Sequence, residues 1–109
     1  MYGTIMRAQT KPGQRDAFIA MMKQRGTPDR NPGFLSAEIG CEDKDPNGVI
    51  AVIHFRDRDS YVANAQRPEV DSEYRQMLDF LAGPPEWTDV SYVAYTGEPL
   101  NESSMAMMG

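Results

Sequence analysis

The sequence has 109 residues, a length that fits one domain around one hydrophobic core. With 40% hydrophobic and 25% charged residues, it has the composition of a folded globular chain rather than a disordered or collagenous one. Its net charge of −5 at pH 7 and scattered Lys and Arg residues oppose a phosphate backbone, so nucleic acid is not an expected partner.

Tyr2 to Thr10 alternate roughly in hydropathy and read as a first strand, ended by the turn-forming Lys11-Pro12-Gly13. From Gln14 to Arg25, Ala17, Phe18, Met21 and Met22 repeat at helical spacing and predict an amphipathic helix. Gly26 and residues 27–33, with two prolines, stop it and form a loop. Phe34 to Cys41 then predict a strand with Leu35, Ala37 and Ile39 on one face. The connection 42–48 ends in Asn47-Gly48, a hairpin signal because both residues tolerate positive φ.

The third strand, Val49 to Arg56, sets Val49, Ala51, Ile53 and Phe55 on one face and Ile50, Val52, His54 and Arg56 on the other. Both faces are apolar at their start, so both need cover, and a chain this short has helices for one only. A second copy of the chain is the simplest cover for the other, giving a homodimer. Arg58 to Ala65 read as a short helix capped by Asp57. A longer one runs from Pro68 to Leu81 with Val70, Tyr74, Met77, Leu78 and Leu81 as its stripe, and Gly83-Pro84-Pro85 ends it. Val90 to Tyr95 read as the last strand, entered through Trp87; the Met-rich tail 98–109 has no periodicity and is expected to be flexible or draped over a partner.

The element order is strand, helix, strand, strand, helices, strand, with right-handed crossovers. The fold class expected is α+β, a ferredoxin-like βαββαβ antiparallel sheet with helices on one face, spanning residues 1–97. No apolar run reaches the roughly 20 residues that span a bilayer, and Met1-Tyr2-Gly3-Thr4 lacks the layout of a signal peptide. A cytoplasmic protein without membrane contact is expected. The lone Cys41 has no disulfide partner, and with one His there is no zinc pattern; free cysteines are usually buried, so Cys41 is expected to be a small buried strand residue.

Two stretches bear on function: Tyr2-Gly3-Thr4-Ile5-Met6-Arg7-Ala8 followed by Lys11-Pro12-Gly13, and Phe55 to Pro68, with Pro32-Gly33-Phe34 leading into the second strand. Over about residues 2–97 the chain resembles the antibiotic-biosynthesis-monooxygenase (ABM) family. That resemblance implies a dimeric α/β barrel and, for several members, oxygenation of phenols or quinols by dioxygen without metal or flavin; no cofactor is therefore expected. The family signature of Glu, Trp and His near the third strand falls here on Ile53, Phe55 and Asn64, ahead of Arg67-Pro68. A haem-degrading relative would be marked by an Asn on the first strand, which this chain lacks.

The candidate catalytic residues are His54, the only side chain of near-neutral reference pKa, and Asn64. Asn64 can hydrogen-bond a substrate oxygen but cannot take its proton. His54 alternates away from Phe55, so if Phe55 lines the pocket, His54 points to the dimer interface. Phe55, Tyr61, Tyr74 and Trp87 are the candidate walls for a small aromatic molecule, and Met6, Met21, Met22 and Met77 suit an adaptable lining. Two readings follow: a cofactor-independent monooxygenase of a phenol, quinol or polyketide-like aromatic, and a non-catalytic dimeric module that binds a small ligand or serves a stress response.

Overall fold

The computed structural model describes residues 1–27 and 31–98, so the tail expected over 98–109 lies almost wholly outside the described residues. Strand β1 (Tyr2–Gln9) leads to helix α1 (Arg15–Arg25), then to the hairpin of β2 (Phe34–Cys41) and β3 (Gly48–Phe55). Helices α2 (Arg58–Ala65) and α3 (Val70–Leu78) return the chain to β4 (Glu86–Ser91). The strands pair antiparallel in the order β2-β3-β1-β4. This is the ferredoxin-like α+β plan, each half crossing over one strand.

Alternation along β1 and β3 decides which face is covered. Met6 and Ala8 stand beside Ala51 and Val49 in the β1–β3 register, and all four are buried. Phe18 of α1 and Leu81 complete this cluster, against which Ile19, Met22, Met77 and Leu78 of the helices pack. Helices thus lie on the face that carries the odd residues of β3, as the pattern requires.

Local chemistry sets the joints. Asp57 caps α2, accepting the Ser60 amide at 2.7 Å, and that hydrogen bond holds the Asp57 carboxyl below the usual carboxylate range. Gly33 has a φ of 85°, and a side chain there would also strike Ser60. Only glycine lets the loop before β2 pass so close to the first turn of α2.

Several expectations need correction. The strand expected over Val90 to Tyr95 is Glu86–Ser91 instead. Pro84-Pro85 lack N–H donors, so pairing with β1 starts as soon as they are passed, at Glu86 opposite Arg7. Val93 and Tyr95 lie beyond it, 94% and 61% exposed. Helix α3 starts at Val70 rather than Pro68 and stops at Leu78; Leu81 reaches the core from an isolated bridge to Thr10.

In β2 a bulge between Phe34 and Ser36 turns Leu35 out to 51% exposure, and Phe34 takes the place expected of Leu35 beside Ala37 and Ile39. The hairpin uses no positive φ at Asn47 or Gly48. Its turn closes through the Gly48 amide on the Asp45 carbonyl at 3.1 Å, with Pro46 and Asn47 between them. Cys41 ends β2 and is exposed rather than buried, because the sheet edge there faces no other element.

Phe18 is fully buried at the centre of the cluster. Phe18→Ala should lower stability by about 3–5 kcal/mol in urea unfolding followed by circular dichroism. A loss below about 1 kcal/mol would mean that the site collapses around the deleted ring.

Candidate active site

The dry cluster fills only part of the covered face. Beyond it, where Thr4 and Tyr2 pair with Ile53 and Phe55, sheet and helices stand apart and enclose a cavity of about 560 Å³. Ala37, Ile39, Ile53 and Phe55 form its floor. Met21 and Met22 of α1, Tyr61 and Asn64 of α2, and Tyr74 and Met77 of α3 form its walls, and Trp87 and Asp89 of β4 close one side. Phe55, Tyr61, Tyr74 and Trp87, separate in sequence, therefore line one space.

Part of the wall is an aromatic run. Phe34 meets Phe55 edge-on, with ring centroids 5.9 Å apart, and Phe55 meets Tyr61 the same way at 5.4 Å. Tyr2 continues the run at 5.3 Å from Tyr61. Such contacts fix ring orientation while leaving ring faces for a flat ligand.

The polar groups of the cavity are few and mostly engaged. The Arg67 guanidinium is the hub. Its Nε donates to Asn64 Oδ1 at 2.9 Å, and its Nη2 donates to Glu73 Oε2 at 3.1 Å and to Asn31 Oδ1 at 3.3 Å. Asn31 donates in turn to the carbonyls of Arg25 and Thr27 at 2.7 and 3.0 Å. Arg25 donates to the Glu73 carbonyl at 3.2 Å and to Gln76 Oε1. One cation thus ties α1 to the end of α2 and to α3, and holds the Asn64 Oδ1 while the Asn64 NH₂ remains to donate to a ligand.

On the opposite side the Tyr61 hydroxyl donates to Asp89 Oδ1 at 2.8 Å. Burial, chiefly, and the bond to Asp89 push the Tyr61 hydroxyl up to about 12. Asp89 itself is exposed on the edge strand.

His54 is not brought to this cavity. It lies on the other face of the sheet with its Nε2 3.0 Å from Glu38 Oε2 and its ring 4.8 Å from that of Tyr92. Burial there, with the Glu38 carboxylate, raises the Tyr92 hydroxyl above its ordinary range. Sequence reasoning did not single out Asp89, Arg25 or Glu73, and it weighed Arg67 only as part of a signature. For Asp89 a signal existed: two residues after Trp87 in a strand, it shares Trp87's face. Among the described residues no three His, Cys, Asp or Glu side chains gather into a group that could hold a metal ion.

A four-stranded antiparallel sheet with helices on one face defines a small ferredoxin-like α+β domain. The chain belongs to the antibiotic biosynthesis monooxygenase family, whose model matches residues 1–72. No curated protein sequence matches it. Among solved structures it is similar to SnoaB, a cofactor-independent oxygenase from Streptomyces nogalater, at 14% identity over 89% of this chain and 97% of that one, TM-score 0.75. It is also similar to a monooxygenase from the ActVA-Orf6 gene of Streptomyces coelicolor, solved with nanaomycin D, at 15% identity over 90% and 92% of the two chains, TM-score 0.75. A candidate antibiotic biosynthesis monooxygenase from Chloroflexus aurantiacus is 28% identical over 88% and 96%, TM-score 0.71. These likenesses are likenesses of fold.

Because the folded state holds the Tyr61 proton more tightly than the unfolded chain, with its usual value of 10.0, that contribution to stability is intact below pH 10. It is lost as pH rises from there to about 12. Alkaline absorbance titration of wild type minus Tyr61→Phe should show one phenol ionising near pH 12. A difference step at pH 10 would mean that the hydroxyl is neither buried nor coupled to Asp89.

Proposed function

We propose that the protein is a cofactor-independent monooxygenase of a small phenolic, quinol or polyketide-like aromatic. The observation that carries this reading is the aromatic cavity of about 560 Å³, with hydrogen-bonding groups on opposite walls. A few polar groups in an apolar, ring-lined space suit a flat substrate with oxygen atoms on its rim. Family membership and the printed activity of SnoaB point the same way.

The reaction starts with the bound aromatic losing a proton, which leaves an electron-rich anion able to reduce dioxygen directly. With an anthrone, the ring CH₂ becomes C=O, and its two hydrogens leave with the second oxygen atom as water. The protein contributes a site with little water, a proton acceptor and a donor to the developing oxyanion. Phe55, Tyr61, Tyr74 and Trp87 hold the rings, and the Asn64 NH₂ donates to the oxyanion.

His54 takes no part in this scheme. We assign it to the contact between two copies, since its face also carries Ile5, Ile50 and Val52, which the helices do not cover. A homodimer joined there forms the α/β barrel expected of the sequence. The tail after residue 97 and a cytoplasmic location complete this reading.

The second reading, a module that binds a small aromatic without turning it over, is favoured by one fact. No histidine lies in the cavity, and Ile53, Phe55 and Asn64 stand at the signature positions.

Oxygen uptake with a panel of anthrones, hydroquinones and catechols separates the two. The monooxygenase reading expects turnover that falls at least tenfold in Asn64→Ala and stays within twofold in His54→Ala. Thermal stabilisation by a panel compound without any uptake would move the protein to the binding class.

Val52→Asp should turn the dimer into monomer or aggregate on size-exclusion chromatography, because a carboxylate without a partner would be buried at the contact. A dimer unchanged by it would place the interface elsewhere.

A further inference from the structure

The proposed chemistry needs a group that takes the substrate's proton, and the usual candidates in the cavity are committed. His54 is on the far side of the sheet. Asn64 has no basic atom. Glu73 is held in an ion pair 3.1 Å from the Arg67 guanidinium, and Arg25 is a cation.

What remains is the pair on the β4 side. Tyr61 and Asp89 both line the cavity, joined at 2.8 Å with the phenol donating. The Tyr61 oxygen keeps lone pairs to accept a further hydrogen bond, and Asp89, exposed on the edge strand, is open to solvent. The other groups facing Tyr61 are the Tyr2 ring, Thr4 and the Phe55 ring; none is a cation that would hold Tyr61 ionised.

We propose that Tyr61 and Asp89 form the proton outlet of the cavity: Tyr61 receives the substrate's proton while passing its own to Asp89, which releases it to water. The substrate's O–H bond, or the activated C–H bond of an anthrone, breaks, and its electron pair stays on the substrate. A new O–H bond forms on Tyr61 as the old one is given up, so the phenol is regenerated and Asp89 is neutral until water removes the proton. Tyr61 touches the substrate; Asp89 acts through it. The raised value of Tyr61 fits a conduit, since a phenol protonated to about 12 never stands as a free phenolate at neutral pH.

This inference deepens the monooxygenase reading but can be tested without oxygen. Anthrone is bound under nitrogen in D₂O, its binding is followed by quenching of the single tryptophan, Trp87, and deuterium entry at its CH₂ is followed by NMR. Wild type should exchange faster than buffer.

Asp89→Asn and Tyr61→Phe should each lose tenfold or more of that rate, within the roughly 10²–10⁴-fold typical of a general base. Binding should change less than threefold, which separates loss of proton transfer from loss of the site. Added formate should restore Asp89→Asn but not Tyr61→Phe. Exchange at wild-type rate in both variants, or none above buffer despite binding, overturns the outlet. Failure of anthrone to bind overturns the outlet and the aromatic substrate class together. Exchange that depends on the pair without any oxygen uptake keeps the outlet and removes the monooxygenase reading.

Discussion

A sheet of four strands has two faces, and this chain has helices for one, so every other feature follows from how the alternating residues of β1 and β3 are shared between them. Even residues of β1 and odd residues of β3 point to the helices, and a shift of pairing by one residue would exchange the faces wholesale. The register Met6 to Ala51 and Ala8 to Val49 sets four apolar side chains under α1 and α3. Continued along the same strands, that register brings Thr4, Ile53 and Phe55 to the same side. There the helices do not close down, and core becomes cavity. Core and cavity are two ends of one surface, which is why Met6 and Ala51 belong to both.

A polar frame beside the cavity ties together the three helices around it. Apolar walls alone tend to collapse, since removing their surface from water is favourable. Arg67, with its side chain only 19% exposed, engages Asn64, Asn31 and Glu73 at once, and Asn31 binds the carbonyls at the end of α1. A planar guanidinium can hold three fixed partners in this way; a lysine ammonium lacks the geometry. The same hub holds the Asn64 Oδ1 and leaves its NH₂ to donate, so the structural frame and the proposed chemistry share a residue.

What the sequence made legible depended on whether local chemistry or a distant partner decided the outcome. β2 and α2 begin and end at Phe34–Cys41 and Arg58–Ala65, the limits that their turn residues and the Asp57 cap imply. The faces of β3 were legible because strand side chains alternate by geometry, even though both faces begin apolar. β4 was misplaced because Glu86-Trp87-Thr88-Asp89 carries no apolar alternation; it is a strand because β1 lies beside it. The bulge between Phe34 and Ser36 leaves no mark in the residue spacing. Of the candidate site, the four aromatic residues were legible from their chemistry. Arg67 was not, because its importance lies in a partner 36 residues away, and the signal for Asp89 was hidden because β4 was expected to start beyond it.

The two sides of the cavity are not equivalent, and the difference fits the chemistry proposed for it. On the α2 side the Asn64 amide offers donors, held in place by Arg67 behind it, which favours an oxygen that gains negative charge. On the β4 side a phenol backed by a carboxylate offers an acceptor with a way out to water. A substrate lying between them across the aromatic floor would have its charge stabilised at one rim and its proton withdrawn at the other. An imidazole in the cavity would have joined these tasks in one residue. Here they fall on α2 for the donor and on Tyr61 with the edge strand for the acceptor, so the acceptor depends on the pairing that brings Asp89 beside Thr4.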